Sequence, residues 1–376
     1  MSRKQQRLKK KGLTVALAAG GTGGHFFPAK ALALLLKEKG HTPIFFTDNR
    51  AARYVQSENI PSVIIASSTI TKRTVLSGVW KITAGVFKST YHLRRNGVDM
   101  IVGFGGYPSF PVMYSSVRRR RKKVSFKTII HEQNSYMGVI NRFLVDKVDA
   151  IATSFERVAG YDKAYNDKVV LTGNPVRPEI IALYNREYKP PEPNGTFHIL
   201  VLGGSQGATV FSDIVPDAIG RLPPLLQQRI CITQQCRQAD LEKVRAAYES
   251  MGVRADLAPF FKNMAELYEQ SHLVICRSGA STVSELAVAG VPSILVPYPH
   301  AKEDHQFLNA KALSDKGGTW IMKQVDFTGA ALAHNIQYLD SHPEMLTQAA
   351  TRVKLAAHPD AAQKLLELVE KIGQKK

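Results

Sequence analysis

The sequence predicts an α/β protein with two Rossmann-like domains, each a doubly wound parallel sheet, that face each other across a cleft. The first observation behind this prediction is a strand, a glycine-rich loop and a helix that occur near the start of the chain and again 183 residues later. The second is that short apolar strands alternate with helical stretches in both halves. The third is that 376 residues, 44% of them hydrophobic, suffice for two sizeable cores.

The first glycine-rich loop lies in VALAAGGTGGHFFPAKALALLL, residues 15–36. Glycine tolerates positive φ and a close approach of the backbone, and the helix that follows directs N–H groups towards the loop. Such a loop predicts a bound anion, most often a phosphate, and a tight turn without a ligand is the alternative. The dinucleotide fingerprint G-x-G-x-x-G would require glycine at Phe26, so a Rossmann dehydrogenase is disfavoured.

The second loop lies in FHILVLGGSQGATVFSD, residues 197–213, and repeats the first. The residues that coincide are Gly20, Gly21, Thr22 and Gly24 with Gly203, Gly204, Ser205 and Gly207. Between the halves, TGNPVRPEI and YKPPEPNG are rich in proline and poor in apolar residues, as linkers are. The expected domains are therefore residues 1–177 and 178–355, with a helix over about 356–376 that packs back on the first domain.

The other strands are predicted from short apolar runs that alternate with helical stretches. In the first half they lie at about residues 42–46, 62–65, 100–102, 127–131 and 150–153. In the second half they are RICIT, ADLAPF, LVICRS and PSILVPY. The carboxyl ends of parallel strands and the loops that follow them converge, so we expect ligands there.

Composition and cysteine usage exclude several classes of protein. The basic start before residues 13–19 resembles a secretory signal, but cleavage after its A-x-A would remove the strand that carries the first loop. No run of about 18 apolar residues predicts a membrane-spanning helix. Cys231, Cys236 and Cys276 are odd in number and lack the paired spacing of a zinc site, which fits a reduced, cytoplasmic compartment.

The net charge of +19 is carried by the first half of the chain. Residues 1–178 contain 30 lysines and arginines against 10 acidic residues, whereas residues 179–376 contain 20 against 21. A charge that served only solubility would be spread evenly. We therefore expect the first domain to face an anionic partner, either nucleic acid or acidic lipid.

The position of apolar residues among the basic ones favours lipid. In TKRTVLSGVWKITAGVFKS, residues 71–89, apolar side chains recur at helical spacing between lysines and arginines. The members of this face are Val75, Leu76, Val79, Trp80, Ile82, Val86 and Phe87. The run RRRRKK, residues 118–123, would add an electrostatic contact with anionic headgroups, and no nucleic-acid-binding module accompanies it. The alternatives are a helix that packs on its own sheet and a solvated loop.

Two motifs follow strands of the first domain. GFGGYPSFP, residues 103–111, is a second glycine loop in this domain, and two such loops suit a diphosphate. HEQN, residues 131–134, places His131, Glu132 and Asn134 at the carboxyl end of a strand, where catalytic groups commonly lie. The alternative for Glu132 is an ion pair with a nearby cation.

The second domain carries polar motifs after its own strands. RSGASTVSELAVAG, residues 277–290, would open a helix towards a phosphate, with Glu285 placed to accept both hydroxyls of a ribose. DHQFLN, residues 304–309, supplies either helix caps or ligands of sugar hydroxyls. No D-x-D motif occurs, so we expect no metal, and helix N-termini would neutralise a leaving diphosphate.

Seven motifs in order resemble the MurG family, N-acetylglucosaminyltransferases that convert lipid I to lipid II in peptidoglycan synthesis. They are GGTGGH, GFGGY, HEQN, GNPVR, GGSQGA, RSGASTVSE and DHQ..NA, and they span about residues 13–310. The resemblance implies a GT-B fold, with the acceptor held by the first domain and UDP-GlcNAc mainly by the second. It also implies an inverting, metal-independent transfer to the 4-hydroxyl of lipid-linked MurNAc at the cytoplasmic face of the bacterial membrane, without a cofactor.

The resemblance also assigns roles to residues. His25 and Glu132 are the candidate catalytic bases, and Gly105, Gly106 and Tyr107 lie in the loop expected to face the lipid diphosphate. Residues matching the family's donor-binding positions are Thr22, Gly23, Gly24, Asn134, Arg177, Ser205, Gln206, Gly207, Phe261, Ala280, Ser281, Thr282, Val283, Ser284, Glu285, His305 and Gln306. The chain departs from the family at His305, at Pro108 and in the length of its basic run.

The partners expected from this resemblance are UDP-GlcNAc, lipid I, an anionic membrane surface and cell-wall synthesis proteins, but no nucleic acid. Two other functions stay open. A GT-B UDP-GlcNAc 2-epimerase, or another glycolipid glycosyltransferase, would share the layout, although an epimerase needs no lipid-facing helix. A basic adaptor without enzymatic activity would leave the donor motifs of the second domain unexplained.

Overall fold

The chain folds into two compact units. The computed structural model describes residues 12–20, 23–49, 59–65, 75–117, 126–204 and 208–374, with the backbone alone at 75–79, 81 and 117. The first unit is Met1–Gln133, Met137–Pro175 and Asp360–Lys376, and the second is Asn134–Tyr136 and Val176–Pro359. The main boundary thus falls between residues 175 and 176, whereas the sequence analysis placed it after residue 177.

The first unit contains a seven-stranded parallel sheet in the order β3-β2-β1-β4-β5-β6-β7. Its strands are β1 (Thr14–Ala18), β2 (Thr42–Thr47), β3 (Ser62–Ile64), β4 (Met100–Gly103), β5 (Lys127–Glu132), β6 (Ala150–Thr153) and β7 (Val169–Leu171). The helices between them are α1 (Gly23–Glu38), α2 (Val75–Arg95), α3 (Ser109–Val117) and α4 (Val139–Leu144), with 3-10 turns at Val145–Lys147 and Lys163–Lys168.

The second unit contains a six-stranded parallel sheet in the order β10-β9-β8-β11-β12-β13. Its strands are β8 (Phe197–Leu202), β9 (Ile230–Gln235), β10 (Arg254–Ala258), β11 (Leu273–Cys276), β12 (Ser293–Leu295) and β13 (Thr319–Ile321). Its helices are α5 (Pro178–Ile181), α6 (Thr209–Gly220), α7 (Pro224–Arg229), α8 (Leu241–Ser250), α9 (Met264–Gln270), α10 (Ala280–Ala289), α11 (His305–Ser314), α12 (Gly329–Ser341) and α13 (Pro343–Val353). Short 3-10 turns lie at Gln238–Asp240, Lys302–Asp304 and Lys354–Ala356.

The central strands of both sheets, such as β1 and β8, are buried almost along their whole length, as apolar strands in parallel sheets are. One face of the first sheet packs on α1 and on the C-terminal helix α14 (Ala361–Gln374), through residues such as Leu32 and Val369. The other face packs on α2, α3 and α4 through residues such as Leu93 and Met113. Full burial of a leucine-sized side chain contributes about 1.5–3 kcal/mol, so these layers hold the strand ends in place.

The strand order reverses between β1 and β4 in the first sheet and between β8 and β11 in the second. Loops diverge at such a point and open a crevice at the carboxyl ends of the strands. The loops after β1 and β4 are in contact, since a Cβ added at Gly20 would lie 3.0 Å from the Cβ of Pro108. Both glycine loops of the first unit therefore border its crevice.

These sheets confirm the prediction of two Rossmann-like domains, and every strand that the sequence predicts is present. The sequence analysis missed β7 and β13, which are three residues long and lie at sheet edges. β3 and β12 are equally short, but the sequence predicts them from the longer runs 62–65 and PSILVPY that contain them.

Helix α2 exposes only part of its expected apolar face. Trp80 is 75% exposed and Phe87 is 64% exposed. Val86 was expected on the same face but is buried at 7% exposure, because adjacent helical residues point about 100° apart. The side chains of Val75, Leu76 and Val79 lie outside the described residues, and so does the basic run 118–123.

In the described part of the chain, no helix combines the length and apolar composition that crossing a bilayer requires. No group of three or more histidine, cysteine, aspartate or glutamate side chains in those residues is arranged to hold a metal ion. Cys231, Cys236 and Cys276 are all free thiols.

Candidate active site

His25 lies in the first turn of α1 and touches the second glycine loop of its unit. A Cβ added at Gly105 would lie 3.6 Å from Cε1 of His25, and one added at Gly106 would lie 3.1 Å from Cδ2 and 3.4 Å from Nε2. Both glycines have positive φ, 76° and 73°, which side chains disfavour. The ring edge that carries Nε2 therefore lies against the loop expected to hold the acceptor.

We expect Gly106→Ala to lower kcat/KM by about 10- to 100-fold, because the added methyl group would crowd Cδ2 and Nε2 of His25. Part of any effect comes from backbone strain, about 1–2 kcal/mol for a left-handed residue. Gly97→Ala is the matched control, since Gly97 has φ 58° and nothing lies within 4 Å of its added Cβ. Equal losses of turnover in the two variants would show that crowding of His25 is not the cause.

Glu132 ends β5 and is buried, with 2% of its surface exposed. Its Oε2 accepts hydrogen bonds from the Gly138 N–H at 2.9 Å and from Nδ2 of Asn141 at 2.8 Å. The same Asn141 Nδ2 would lie 3.5 Å from a Cβ at Gly105. The two candidate bases, His25 and Glu132, are thus grouped around the Gly105 loop in the first unit.

His131 precedes Glu132 in β5 and is fully buried, with its ring tilted by 42° against that of Phe104 at a centroid distance of 5.3 Å. Its Nε2 lies 3.0 Å from the Gly173 carbonyl oxygen. Burial lowers the pKa of His131 to about 4, because the charged ring would lose its hydration. His131 is therefore neutral near pH 7. Because it is fully buried, it is not accessible to a substrate.

In the second unit, Arg177 and Glu285 form one ion pair. Nη2 and Nε of Arg177 both lie 2.9 Å from Oε1 of Glu285, and the Tyr268 hydroxyl donates to Oε2 at 3.2 Å. Burial raises the pKa of the Glu285 carboxyl, and the Arg177 guanidinium opposes that shift. Two residues that the sequence analysis assigned separately to the donor thus hold each other in place.

Glu285 belongs to helix α10. Its N-cap is Gly279, which has no side chain to cap the helix, so the first N–H groups point out of the helix end. Val283 is fully buried and its N–H donates to the Gly279 carbonyl, while the Ser284 hydroxyl donates to the Ala280 carbonyl at 2.9 Å. The helix end at Ala280, Ser281 and Thr282 is the part that can meet an anion.

Asn134 belongs to the second unit, where Asn309 of α11 holds it. The Asn309 amide is fully buried, donates to Oδ1 of Asn134 at 3.1 Å and to the Ser278 carbonyl at 3.2 Å, and accepts from the Ser135 N–H at 2.8 Å. Oε1 of Gln306 accepts from the Tyr298 N–H at 3.0 Å. Hydrogen bonds of Asn309 therefore join the HEQN segment to the DHQFLN segment, which is far away in the sequence.

The remaining predicted residues are more scattered. Phe261 is half-buried in the loop before α9, and Nδ1 of His305 lies 2.8 Å from the Lys302 carbonyl oxygen. Tyr107 is 37% exposed, Gly24 is exposed and Gly23 is half-buried at the start of α1. The predicted donor residues outside the described part of the chain are Thr22, Ser205, Gln206 and Gly207.

Sequence reasoning gave no role to several residues that build these sites. They are Gln133, Asn141, Tyr268 and Ser278. Gln133 and Ser278 do lie inside motifs that were singled out, and that placement was the available signal. Asn141 and Tyr268 lie in ordinary helical sequence, so only their contacts identify them.

The chain matches two domains of one glycosyltransferase family. Residues 15–153 match the glycosyltransferase family 28 N-terminal domain, and residues 198–365 match the glycosyltransferase family 28 C-terminal domain. Together these matches include His25, Glu132 and Glu285.

Two relatives that align with 94% and 95% of the chain share the name UDP-N-acetylglucosamine–N-acetylmuramyl-(pentapeptide) pyrophosphoryl-undecaprenol N-acetylglucosamine transferase. The relative from Rhodospirillum centenum is 46% identical over 94% of this chain and 93% of its own length. The relative from Zymomonas mobilis is 42% identical over 95% of this chain and 92% of its own. The crystal structure of Acinetobacter baumannii MurG is 29% identical, with a TM-score of 0.76 over 96% of this chain and 99% of that one.

Proposed function

The chain belongs to the MurG family within glycosyltransferase family 28, and from that premise we propose how its residues perform the family's reaction. The reaction moves N-acetylglucosamine from UDP-N-acetylglucosamine to the 4-hydroxyl of the N-acetylmuramyl residue of lipid I, which gives lipid II. The first unit would hold the lipid-linked acceptor and the second would hold the nucleotide sugar. No metal ion or cofactor is assigned a role.

His25 is the proposed general base. Its Nε2 edge lies against the Gly105–Gly106 backbone, so an acceptor bound at this loop would present its hydroxyl to that nitrogen. When the hydroxyl proton moves to Nε2, the oxygen's electron pair forms the bond to the anomeric carbon. The bond from that carbon to the UDP oxygen breaks on the opposite face, which inverts the configuration. A well-placed base contributes about 10²- to 10⁴-fold to the rate.

The donor is proposed to bind at α10 and the Arg177–Glu285 pair. Anions are stabilised at a helix N-terminus by its N–H groups and its partial positive charge, so Ala280 to Thr282 suit the diphosphate. Oε1 of Glu285 already accepts from Nε and Nη2 of Arg177, whereas Oε2 accepts from the Tyr268 hydroxyl and can accept one more hydrogen bond. That acceptor position on Oε2 suits a hydroxyl of the ribose.

The observation that carries this proposal is the contact of His25 with the Gly105–Gly106 loop, in a chain that is 46% identical to a named transferase. The test incubates the purified protein with radiolabelled UDP-N-acetylglucosamine, with and without lipid I, and with EDTA in a parallel sample. We expect label in lipid II only when lipid I is present, and the same rate in EDTA. N-acetylmannosamine formed without an acceptor would identify an epimerase, and inertness in every sample would identify an adaptor.

We also propose that the first unit docks on the cytoplasmic face of an anionic membrane. Trp80 and Phe87 are seven residues apart on α2, two helical turns, and both are exposed. Exposed Tyr91 extends this surface by one further turn, and residues 1–178, which contain it, have 30 basic against 10 acidic residues. Stable binding to a membrane surface usually needs both apolar side chains that enter the interface and basic side chains that attract anionic lipids.

We expect the double substitution Trp80→Ser, Phe87→Ser to lower the partition onto anionic vesicles by at least about tenfold, because two aromatic side chains would no longer enter the lipid interface. Sedimentation with vesicles containing phosphatidylglycerol measures the partition. Raised salt should weaken binding of the wild type only in part, since its apolar contribution is not screened.

The matched control is Leu225→Ser, Val325→Ser, which removes two apolar side chains that are 78% and 82% exposed in the second unit. This control should keep its vesicle binding. The Trp80 and Phe87 variant should still act on a short-chain, water-soluble lipid I analogue. Vesicle binding that persists in that variant would place the membrane contact elsewhere, with the basic run 118–123 as the next candidate.

A further inference from the structure

A row of hydrogen bonds connects His25, through Gln133 and His131, to the backbone carbonyl of Gly173. Nδ1 of His25 lies 3.0 Å from Oε1 of Gln133, and Nε2 of Gln133 lies 3.0 Å from Nδ1 of His131. The row ends where Nε2 of His131 meets the Gly173 carbonyl oxygen at 3.0 Å. All four residues belong to the first unit, and Gln133 and His131 are buried.

The end of the row at Gly173 fixes the ring of His131. A carbonyl oxygen can only accept, so Nε2 of His131 carries the proton that it donates to Gly173. A neutral imidazole then has a lone pair on Nδ1, and His131 is held neutral by its burial. Nδ1 of His131 must therefore accept a hydrogen bond from Gln133.

The orientation of the Gln133 amide has a second anchor. Its nitrogen also lies 3.2 Å from the backbone carbonyl oxygen of His131, which again can only accept. Two acceptors thus face the amide nitrogen, so the amide oxygen faces Nδ1 of His25. Nδ1 of His25 must then carry a proton, and the lone pair of the neutral ring lies on Nε2.

We propose that Gln133 is a positioning residue that holds His25 in its Nδ1–H tautomer, so that Nε2, beside Gly106, is ready to take the acceptor's proton. This inference rests on the proposed function, in which His25 is the base. Gln133 touches no reacting atom and acts through the ring of His25. In the other tautomer, Nε2 would carry a proton and could not accept the one from the hydroxyl.

The arrangement also supports the charged ring that forms during the reaction. When the hydroxyl proton has moved to Nε2, His25 is an imidazolium, and its Nδ1–H still donates to Oε1 of Gln133. A hydrogen bond from a charged donor is stronger than one from a neutral donor, so Gln133 favours the state that follows proton transfer. An amide does not pass a proton along, so the proton on Nε2 leaves to solvent after product release.

The test compares Gln133→Met with the wild type by two measurements. Methionine has a similar length but neither accepts from His25 nor donates to His131 in the same way. In wild-type protein labelled with ¹⁵N-histidine, the ring nitrogen shifts of His25, assigned with His25→Ala, should report a protonated Nδ1 and an unprotonated Nε2. In Gln133→Met that preference should be lost, and kcat should fall by about 10- to 1,000-fold with the donor KM unchanged, as for a base held in the wrong tautomer.

Gln133→Glu keeps an oxygen that accepts from His25 Nδ1, and its other oxygen can share a proton with His131. It should therefore retain the Nδ1–H tautomer and much of the turnover that Gln133→Met loses. Gln227→Met is the matched control, because the Gln227 amide donates to two backbone carbonyls in the second unit. That control should leave both kcat and the His25 spectrum unchanged.

The outcomes separate this inference from the proposed function. A wild-type His25 protonated on Nε2, or an unchanged tautomer and kcat in Gln133→Met, would overturn the role of Gln133 while leaving the transferase activity standing. The same holds if Gln133→Met and Gln133→Glu lose turnover equally. The tautomer is read without any substrate, so a wild type with the expected spectrum but no transfer to lipid I would overturn the proposed function instead.

Discussion

His25→Ala is expected to lower kcat by about 10²- to 10⁴-fold, because the variant lacks the nitrogen that would accept the proton of the attacking hydroxyl. UDP affinity should change little, since His25 lies beside Gly105 and Gly106 and is assigned to the acceptor hydroxyl, whereas the nucleotide is assigned mainly to the second unit. Steady-state kinetics with a soluble lipid I analogue give kcat, and UDP titration by calorimetry gives the affinity.

Two variants accompany this measurement. Ser205→Ala, placed by the sequence in the second glycine loop, should chiefly weaken UDP and leave kcat nearly intact. Glu132→Gln removes the charge of the other candidate base while keeping an oxygen that can accept from Gly138 and Asn141. If His25→Ala retains most of its turnover and Glu132→Gln does not, Glu132 is the base.

Glu285→Ala is expected to raise the donor KM by about 30- to 1,000-fold, which corresponds to losing about 2–4 kcal/mol of charge-assisted hydrogen bonding. It should also lower the free energy of unfolding by about 3–5 kcal/mol, because the Arg177 guanidinium loses a carboxylate at 2.9 Å in a largely buried site, and Glu179 lies farther away at 4.0 Å. Initial rates at varied UDP-N-acetylglucosamine give KM, and urea unfolding without ligand gives the stability. Vesicle binding should stay unchanged.

Two controls separate donor binding from stability. Tyr268→Phe removes only the hydroxyl that donates to Glu285, so it should cost about 0.5–1.5 kcal/mol of stability. Asp315→Ala breaks the exposed pair with Lys311, which should change the free energy of unfolding by less than about 1 kcal/mol. A folded Glu285→Ala variant with the wild-type donor KM would remove Glu285 from the donor site.

Local sequence was sufficient to predict the sheets and the positions of the glycine loops. Strands such as β1 and β8 are mostly apolar runs that a glycine-rich loop follows, and this pattern depends only on residues close to one another in the chain. The same local motifs carried the family resemblance that the relatives confirm. Helix α2 shows where local sequence is not sufficient. Periodicity alone placed Val86 on the exposed face, but in the structure Val86 is buried.

The sequence by itself determined that the chain has two parallel-sheet domains, where their loops begin and which family it belongs to. Only the tertiary structure decided that Arg177 pairs with Glu285 and that His25 bonds to Gln133, each across 108 residues. It alone brought Asn309 to Asn134, which is 175 residues away. Such pairs depend on strand order and on the burial of polar groups that must then find partners, and neither property is encoded in a local pattern.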